Sequence, residues 1–394
     1  MKQASPKAIV FFVVVLDLIG FGMVIPLINL YGIHYGAGTV QLAVLASAYS
    51  AMQFIFAPFW GALSDRIGRR PVLLVSLFGS TLSYLIFGLA SSYEVLLISR
   101  VLAGIFAANI SAAQAYMADI TDRKDRAGAM GLIGAAFGIG FTLGPPLGGV
   151  TAKWYGLGYP GYLASALSGA TLLIALFYLP ESLPAERRRV NKTTYRFALG
   201  KEVWRTLAQQ PQLRNLVYIF FIATLAFAQF EQAFAPYLQA RFEFATDETG
   251  YKAGIILLWL GIIGVVMQGF VIRKLTQRYA EHKLLALGLL IEGAAFLVVP
   301  LLSTYGSFFL FGCLIPIGAG MANPCLSALI SLSAGSEEQG SVLGIAQGFS
   351  SLARVIGPAF AMLLFSYSPY SPFIIGSFLV ISTVPLAVSA GREK

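Results

Sequence analysis

Long apolar stretches and short polar stretches alternate along the whole chain, and this pattern predicts its secondary structure. A helix needs about 20 predominantly apolar residues to cross the hydrocarbon core of a bilayer. A window of that length predicts twelve spans, at residues 8–30, 40–62, 71–91, 94–116, 127–150, 159–180, 214–238, 249–272, 283–302, 305–330, 341–365 and 370–389. The stretches are continuous, whereas the strands of a membrane barrel alternate between apolar and polar residues. The pattern therefore predicts an all-α polytopic membrane protein with twelve transmembrane helices.

Composition agrees with this prediction and places the chain outside the class of soluble proteins. Of the 394 residues, 57% are hydrophobic and 11% are charged, and the mean hydropathy is +0.75. Soluble domains carry about 25% charged residues. Most of the chain is therefore expected to lie within a lipid bilayer.

The net charge of +9 is distributed unequally between the two sides of the predicted membrane. With the N-terminus inside, most loop lysines and arginines fall on the side of both termini, including the basic stretch at 186–205. The opposite side keeps only Lys153, Arg241 and Lys252. Because basic residues are concentrated in cytoplasmic loops, we predict a multi-pass protein with both termini in the cytoplasm. The net positive charge thus reflects topology, so we expect no nucleic-acid partner. The short loops favour a bacterial inner (plasma) membrane.

The two halves of the chain share special residues at a nearly constant offset. Gly61 corresponds to Gly269, and Asn109 corresponds to Asn323. Two sets of six spans in one orientation indicate parallel repeats related by an axis along the membrane normal. We predict two pseudo-repeated six-helix bundles, at residues 1–180 and 214–394, joined by a basic cytoplasmic linker at 181–213. A site between such bundles can face either side of the membrane when the bundles rock, as a carrier requires.

Residue types that hold metals, cofactors or reaction intermediates occur without the required spacing. Cys313 and Cys325 lie in one predicted span, and His34 and His282 lie in separate loops. The sequence G-x-x-x-x-G-K-[ST] of a nucleotide-binding P-loop is absent. We therefore expect no cofactor, no metal and no enzymatic activity. The expected partners of a monomeric chain are a small-molecule substrate, protons and the lipid bilayer.

The loop GALSDRIGRRPVLL at 61–74 concentrates charge and glycine between two apolar spans. Gly61 allows the flanking helices to approach closely, and Gly68 permits a turn with positive φ. The spacing therefore predicts a compact structured turn. The alternative, a solvated loop that follows the charge rule, would explain the arginines but not the glycines or the acidic residue.

The charged residues of this loop suggest a contact between the two bundles. Asp65 can face the N-terminus of a helix in the other bundle, where a carboxylate is favoured. Arg66 or Arg70 can pair with Asp119 at the cytoplasmic end of the fourth span, and Arg69 adds a further positive charge. Such contacts would hold the bundles together on the cytoplasmic side and would break when the carrier opens inward.

Several segments resemble motifs of the major facilitator superfamily, and the resemblance covers the whole chain. The segments are LDLIGFGMVIPL at 16–27, GALSDRIGRR at 61–70, RVLAG at 100–104, AYMADITDRKDRAGAMG at 115–131, GIGFTLGPPLGG at 138–149 and IEG at 291–293. The second resembles the loop motif of the superfamily. The others resemble its drug/proton antiporter branch, most of all the tetracycline/proton antiporters, although Ala103 stands where a glutamine is usual. The resemblance implies the twelve-span major facilitator fold and proton-coupled antiport.

Glycines recur in the fifth predicted span, where the resemblance places an antiporter motif. They give the helix a smooth face that another helix can approach closely, and two prolines bend it. The residues are Gly138, Gly140, Gly144, Pro145, Pro146, Gly148 and Gly149. Either these residues seal an interface against ion leak, or they serve helix packing alone.

Ionisable residues inside the predicted spans are functional candidates, because each costs at least about 2.5–3.5 kcal/mol on insertion scales. The five are Asp17, Arg100, Glu231, Glu292 and Arg354. Asp17 and Arg100 can pair across the first bundle, either as a structural ion pair or for proton coupling. Glu292 matches an acidic position of the tetracycline carriers and is a candidate proton or cation site. Arg354 either balances Glu292 or selects an anionic substrate.

Uncharged polar residues are further candidates for the lining of a water-accessible pathway through the spans. Glu231 lies with Gln229 and Gln232 among aromatic residues, where it either lines a cavity or forms a buried interhelical hydrogen bond. The other candidates are Asn29, Gln53, Asn109, Gln114, Gln268, Asn323 and Gln347. Each of these side chains contacts substrate or bonds a neighbouring helix.

The sequence favours a secondary active transporter that exports a small amphiphilic compound in exchange for protons by alternating access. An alternative is a sugar or metabolite carrier of the same fold that works by symport or facilitated diffusion. A receptor or assembly protein on the same scaffold would produce no flux. Substrate-dependent proton movement would distinguish the first two functions.

Overall fold

A computed structural model describes residues 6–24, 27–107, 109–188, 198, 200–244, 246–335 and 337–391. Within these ranges, the ordered secondary structure is helical and no strand occurs. Twelve segments of the described chain are long and apolar enough to cross a membrane, and we number them spans 1 to 12. The spans are Pro6–Val24, Val40–Ile67, Arg69–Gly88, Tyr93–Asp119, Arg123–Tyr155, Tyr159–Tyr178, Pro211–Phe242, Lys252–Thr276, Glu281–Leu301, Ser307–Leu332, Gln339–Tyr367 and Ser371–Ser389. The predicted all-α, twelve-span fold is confirmed.

Several spans are interrupted, which a search for apolar stretches does not detect. Within the first predicted span, 8–30, the described helices are Pro6–Val24 and the start of Ile28–His34. Spans 4, 8, 10 and 12 are each divided into two helices. Span 4 consists of Tyr93–Ile105 and Asn109–Asp119, and span 10 consists of Ser307–Phe311 and Leu314–Leu332. Span 12 consists of Ser371–Ser382 and Val384–Ser389, and in span 8 a π-helical turn separates Thr246–Val266 from Ile272–Thr276. In span 9 the helix Glu281–Val298 ends in a 3-10 turn.

An even number of spans places both ends of the chain on one side of the membrane, which we call the terminal side, opposite the distal side. Spans 1–6 and spans 7–12 form two bundles, each with its own apolar core. The core of the second bundle extends into the first at Ala118 and Met130, near the terminal side. The bundles are therefore packed most continuously at that end.

The main contacts between the bundles join span 2 to span 11 and span 5 to spans 8 and 10. In the internal repeat, span 2 corresponds to span 8 and span 5 corresponds to span 11. The contact between spans 2 and 11 is therefore equivalent to the contact between spans 8 and 5. The contacts therefore follow the pseudo-symmetry that the internal repeat predicts. The domain boundaries at residues 180 and 214 stay a prediction.

The linker contributes one amphipathic helix, Lys201–Gln209, within the predicted segment 199–210. Val203 and Leu207 are buried in the core of the second bundle, while Trp204 is exposed. The ring of Trp204 also contacts Phe349 of span 11 edge to face, with centroids 5.6 Å apart. This helix of the linker thus packs against the second bundle, whereas the Ala198 N–H donates to the carbonyl of Ile55 in span 2 at 3.2 Å.

Candidate functional site

Asp65 joins the two bundles on the terminal side. Its Oδ1 and Oδ2 atoms accept hydrogen bonds from the backbone N–H groups of Gly340 and Ser341, at 2.8 and 2.7 Å. Both N–H groups belong to the first turn of the helix Gln339–Tyr367, where they lack partners within the helix. A buried carboxylate at this position also interacts favourably with the helix dipole. The structure therefore places Asp65 at the N-terminus of a helix of the other bundle.

The expected pairing of Arg66 or Arg70 with Asp119 is wrong, because Arg69 makes that contact. Arg69 Nε donates to Asp119 Oδ2 at 3.0 Å, and its Nη1 atom lies 2.5 Å from Asp65 Oδ1. Successive residues on a helix point about 100° apart, so the neighbours of Asp65 and Arg69 point away from this centre. Arg66 is exposed, and the Arg70 guanidinium donates instead to the carbonyl of Leu176 at 2.7 Å.

Glu181 completes this cluster, and sequence reasoning missed it. Its Oε1 atom accepts from the N–H of Arg69 at 2.8 Å, and its Oε2 atom accepts from that of Arg70 at 3.2 Å. These N–H groups begin span 3, whose N-cap is Gly68 and so has no side chain to cap them. A Cβ atom at Gly68, where φ is 108°, would lie 2.8 Å from Glu181 Cδ. Gly68 is therefore needed for its φ angle and because a side chain there would exclude the Glu181 carboxylate. In the sequence, a glycine at the start of span 3 was the available sign that another residue must cap this helix.

Glycines bring spans 2 and 11 into backbone contact beside Asp65. A Cβ atom at Gly340 would lie 2.6 Å from the carbonyl oxygen of Gly61, and one at Gly344 would lie 2.6 Å from that of Ala57. Real Cβ atoms do not approach so closely. Because the two backbones meet here, larger side chains would separate the bundles.

The glycines of span 5 serve two different contacts. Gly140, Gly144 and Gly148 lie on one face and pack against the backbone of span 1, within the first bundle. Gly138 faces Val265 of span 8, in the other bundle, whereas a Cβ atom at Gly149 would meet no atom of the described residues within 4 Å. The expectation of one common glycine face is therefore wrong. Pro145 and Pro146 lie inside the helix Arg126–Tyr155, which continues through them.

Asp17 and Arg100 are both buried in the first bundle, but the expected ion pair between them is wrong. Asp17 Oδ1 accepts from Ser168 Oγ of span 6 at 3.4 Å. The Arg100 guanidinium lies 4.9 Å from the ring centroid of Phe87, and no ion pair of Arg100 occurs within the described ranges. Asp17 lines a small cavity with Tyr49 and Tyr84, and both Asp17 and Arg100 act electrostatically on these two tyrosines.

Glu292 lies in the interior of the second bundle. Its side chain is 2% exposed, and its Oε2 atom has no hydrogen-bond partner in the described part of the chain. Gly318 of span 10 packs against the Glu292 backbone so tightly that a Cβ there would lie 2.5 Å from its nitrogen. The structure thus encloses this carboxyl group away from the surface between the bundles.

Arg354 lies near the middle of span 11, and no ion pair joins it to Glu292, which is also described, so the expectation that it balances Glu292 is wrong. The groups that act on it electrostatically are Tyr49 and Glu231. Glu231 and Gln232, in the distal half of span 7, are exposed. Ionisable residues at this depth face the bundle interior or a water-filled space rather than lipid, and we infer from the exposure of Glu231 that it faces such a space.

The remaining polar candidates are not brought into one cluster. Gln229 is fully buried, and neither atom of its amide has a partner among the described residues. Gln114 is buried in the first bundle, and Asn323 is half-buried in span 10. The helix that contains Asn109 is described, but the side chain of Asn109 lies outside the described part, as does that of Asn29.

The interruption of span 4 is a further feature that the sequence did not predict. Between the helices Tyr93–Ile105 and Asn109–Asp119, successive carbonyls accept side-chain hydrogen bonds from spans 2 and 3. Trp60 Nε1 donates to the carbonyl of Ile105 at 2.6 Å, and Gln53 Nε2 donates to that of Ala107 at 3.4 Å. Broken helices within a membrane need such partners, and they occur at transporter binding sites.

Comparisons with known proteins agree with this architecture over the full length. The model of the Major Facilitator Superfamily matches residues 10–358 and 268–391. The chain is 30% identical to the class C tetracycline resistance protein of Escherichia coli over 98% of this chain and 97% of that protein. It is also 30% identical to multidrug resistance protein 2 of Bacillus subtilis, over 100% of this chain and 98% of that one. The crystal structure of the human organic anion transporter MFSD10 (TETRAN) is similar with a TM-score of 0.83 and 25% identity, over 98% of this chain and 100% of that chain.

Proposed function

Since the chain belongs to the major facilitator superfamily of membrane transporters, we propose that it is a proton-coupled antiporter that exports a small amphiphilic compound. The relatives named for tetracycline and multidrug resistance support this substrate class. We place a monomer in the bacterial inner membrane. The lysines and arginines concentrated on the terminal side support a cytoplasmic position for that side.

The contacts between the bundles support alternating access. Asp65, Arg69 and the paired glycines close the terminal side, while exposed Glu231 lies in the distal half of span 7. With the terminal side in the cytoplasm, this is an outward-facing conformation. Inward opening then requires that Asp65 leave the N-terminus of span 11 and that spans 2 and 11 separate.

The observation that carries proton coupling is the enclosed carboxyl group of Glu292. A carboxyl group buried without a partner is less costly when it is protonated than when it is ionised. We therefore assign Glu292 as a site that binds the transported proton. Asp17 is a second candidate because it is a buried acid that lines a cavity in the first bundle.

The test uses everted membrane vesicles with an acidic interior and a pH-sensitive dye. Tetracyclines, lipophilic cations, organic anions and sugars are added in turn to vesicles that contain the wild type, Glu292→Gln, Asp17→Asn or the control Glu337→Gln. Glu337 is exposed in a loop on the terminal side. We expect at least one amphiphilic compound to release protons from the wild type and the control, and Glu292→Gln to abolish the release.

Two results would contradict the proposal. Proton release that persists in Glu292→Gln would refute the assignment of that residue. Uptake of a sugar or metabolite without proton release would favour the facilitator instead of the antiporter.

A further inference from the structure

Gln53 and Arg354 connect the bundles near the middle of the membrane. Arg354 Nη2 donates to Gln53 Oε1 at 2.9 Å, and Ser351 Oγ donates to the same oxygen at 2.6 Å. Gln53 is 1% exposed, and its amide nitrogen bonds the interruption of span 4 at Ala107. This link therefore joins spans 2, 4 and 11 at one point.

No acid among the described residues forms a direct ion pair with Arg354, and Glu231 acts on it electrostatically from beyond ion-pair distance. The hydrogen-bond acceptors of Arg354 are neutral: the Gln53 amide and the hydroxyl groups of Ser350 and Ser351, at 3.0 and 2.9 Å. Within the described ranges, no carboxylate lies within 4 Å of its guanidinium. A guanidinium without a direct ion-pair partner is costly at this depth, and a bound anion would supply that partner through charge-assisted hydrogen bonds.

Arg354 is also positioned where a ligand can reach it. It is half-buried, and the exposed residue Glu231 acts on it electrostatically from span 7. On the terminal side of the link, the rings of Phe54 and Phe349 meet across the bundles with centroids 6.0 Å apart. Arg354 thus lies on the distal side of this aromatic contact between the bundles.

Aromatic residues line a path beside the charge. Tyr49, which Arg354 also affects electrostatically, packs against Phe21 with centroids 4.8 Å apart. Phe21 in turn meets Phe141, which is 41% exposed. A compound with an acidic group and an apolar body would match this arrangement of one guanidinium and adjacent rings.

We propose that Arg354 binds the anionic group of the transported compound, which makes the substrate class amphiphilic organic anions with a carboxylate or sulfonate. This inference rests on the proposed transport function. A guanidinium binds a carboxylate through two parallel charge-assisted hydrogen bonds, which are stronger than its bond to an amide oxygen. The anion therefore displaces Gln53, and substrate binding releases the link between the bundles at mid-membrane.

The test compares two fluorescent probes that share a three-ring core and differ in charge: carboxyfluorescein, an anion, and rhodamine 123, a cation. Their affinities for the full-length protein in lipid nanodiscs are measured by fluorescence anisotropy. We expect Arg354→Gln to weaken carboxyfluorescein binding by about tenfold or more, and Arg354→Lys to weaken it less. Gln53→Leu removes the competing internal acceptor and is expected to strengthen that binding. Arg278→Gln, which removes an exposed arginine on the terminal side, is the control.

Arg354→Gln is expected to weaken carboxyfluorescein binding and Gln53→Leu is expected to strengthen it. Because structural damage would weaken binding in both variants, these opposite effects distinguish ligand binding from damage. If Arg354→Gln weakens both probes equally, or if Gln53→Leu also weakens the anion, the link is structural and the anion site is refuted. A wild type that binds only rhodamine 123 refutes it as well. Failure of the antiport proposal looks different, because carboxyfluorescein would still bind through Arg354 while no compound released protons from everted vesicles.

Discussion

Replacement of Asp65 by asparagine should open the terminal side. The change removes the negative charge and replaces one acceptor oxygen with an NH₂ group, so at least one hydrogen bond to Gly340 or Ser341 is lost. A hydrogen bond to a charged group contributes about 1.5–3 kcal/mol, and the charge at a helix N-terminus contributes up to about 2 kcal/mol. We take about 3 kcal/mol for the sum, which shifts the equilibrium toward the open conformation by roughly 100-fold.

The opening can be measured as a distance between spin labels on the terminal side. Cysteines at Lys124 and Lys283, both exposed and in different bundles, carry the labels in a background without Cys313 and Cys325. Pulsed electron paramagnetic resonance then gives the distance distribution. We expect Asp65→Asn to populate longer distances and the control Glu337→Gln to leave the distribution unchanged. An unchanged distribution in Asp65→Asn would show that the span 11 helix does not need this carboxylate to stay closed.

Two further predictions concern residues near Asp65. Gly344→Ala introduces a Cβ 2.6 Å from the carbonyl oxygen of Ala57, so the same label pair should report longer distances. In the control Gly335→Ala, the Cβ meets no atom of the described residues within 4 Å, so the distances should not change. Equal effects of the two substitutions would refute backbone contact as the cause. Glu181→Gln turns an acceptor of the Arg70 N–H into a donor, so we expect a loss of about 1–3 kcal/mol in unfolding free energy and a lower Tm in detergent. The exposed linker variant Glu186→Gln is the control, and a Tm equal to that of the wild type would contradict the capping role.

The architecture was largely predictable because it follows from local composition. Each span is a stretch of apolar residues long enough to cross a bilayer, and the internal repeat predicted two bundles in parallel orientation. The position of Asp65 was also predictable, since an acid in a short glycine-containing turn suits a helix N-terminus. The sequence did not predict which arginine pairs with Asp119. That choice depends on the directions in which Arg66, Arg69 and Arg70 point from their helices.

Features that depend on distant partners were not predictable in the same way. Glu181 lies 112 residues from Arg69 along the chain, and no local pattern indicates that the two meet. The interruption of span 4 has no proline within it, and it is stabilised by Trp60 and Gln53 from another span.

The sequence by itself determined that the chain crosses the membrane twelve times, that its two halves repeat, and that the loop at 61–70 carries an acid suited to the N-terminus of a helix in the other bundle. Burial of apolar length and the distribution of loop charge are enough for these conclusions. Only the tertiary structure decided that Arg69 is the partner of Asp119, that Glu292 is enclosed in one bundle, and that Arg354 bonds Gln53 between the bundles. The energy of a charge in a membrane depends on which groups surround it, and those groups come from spans far apart in the sequence.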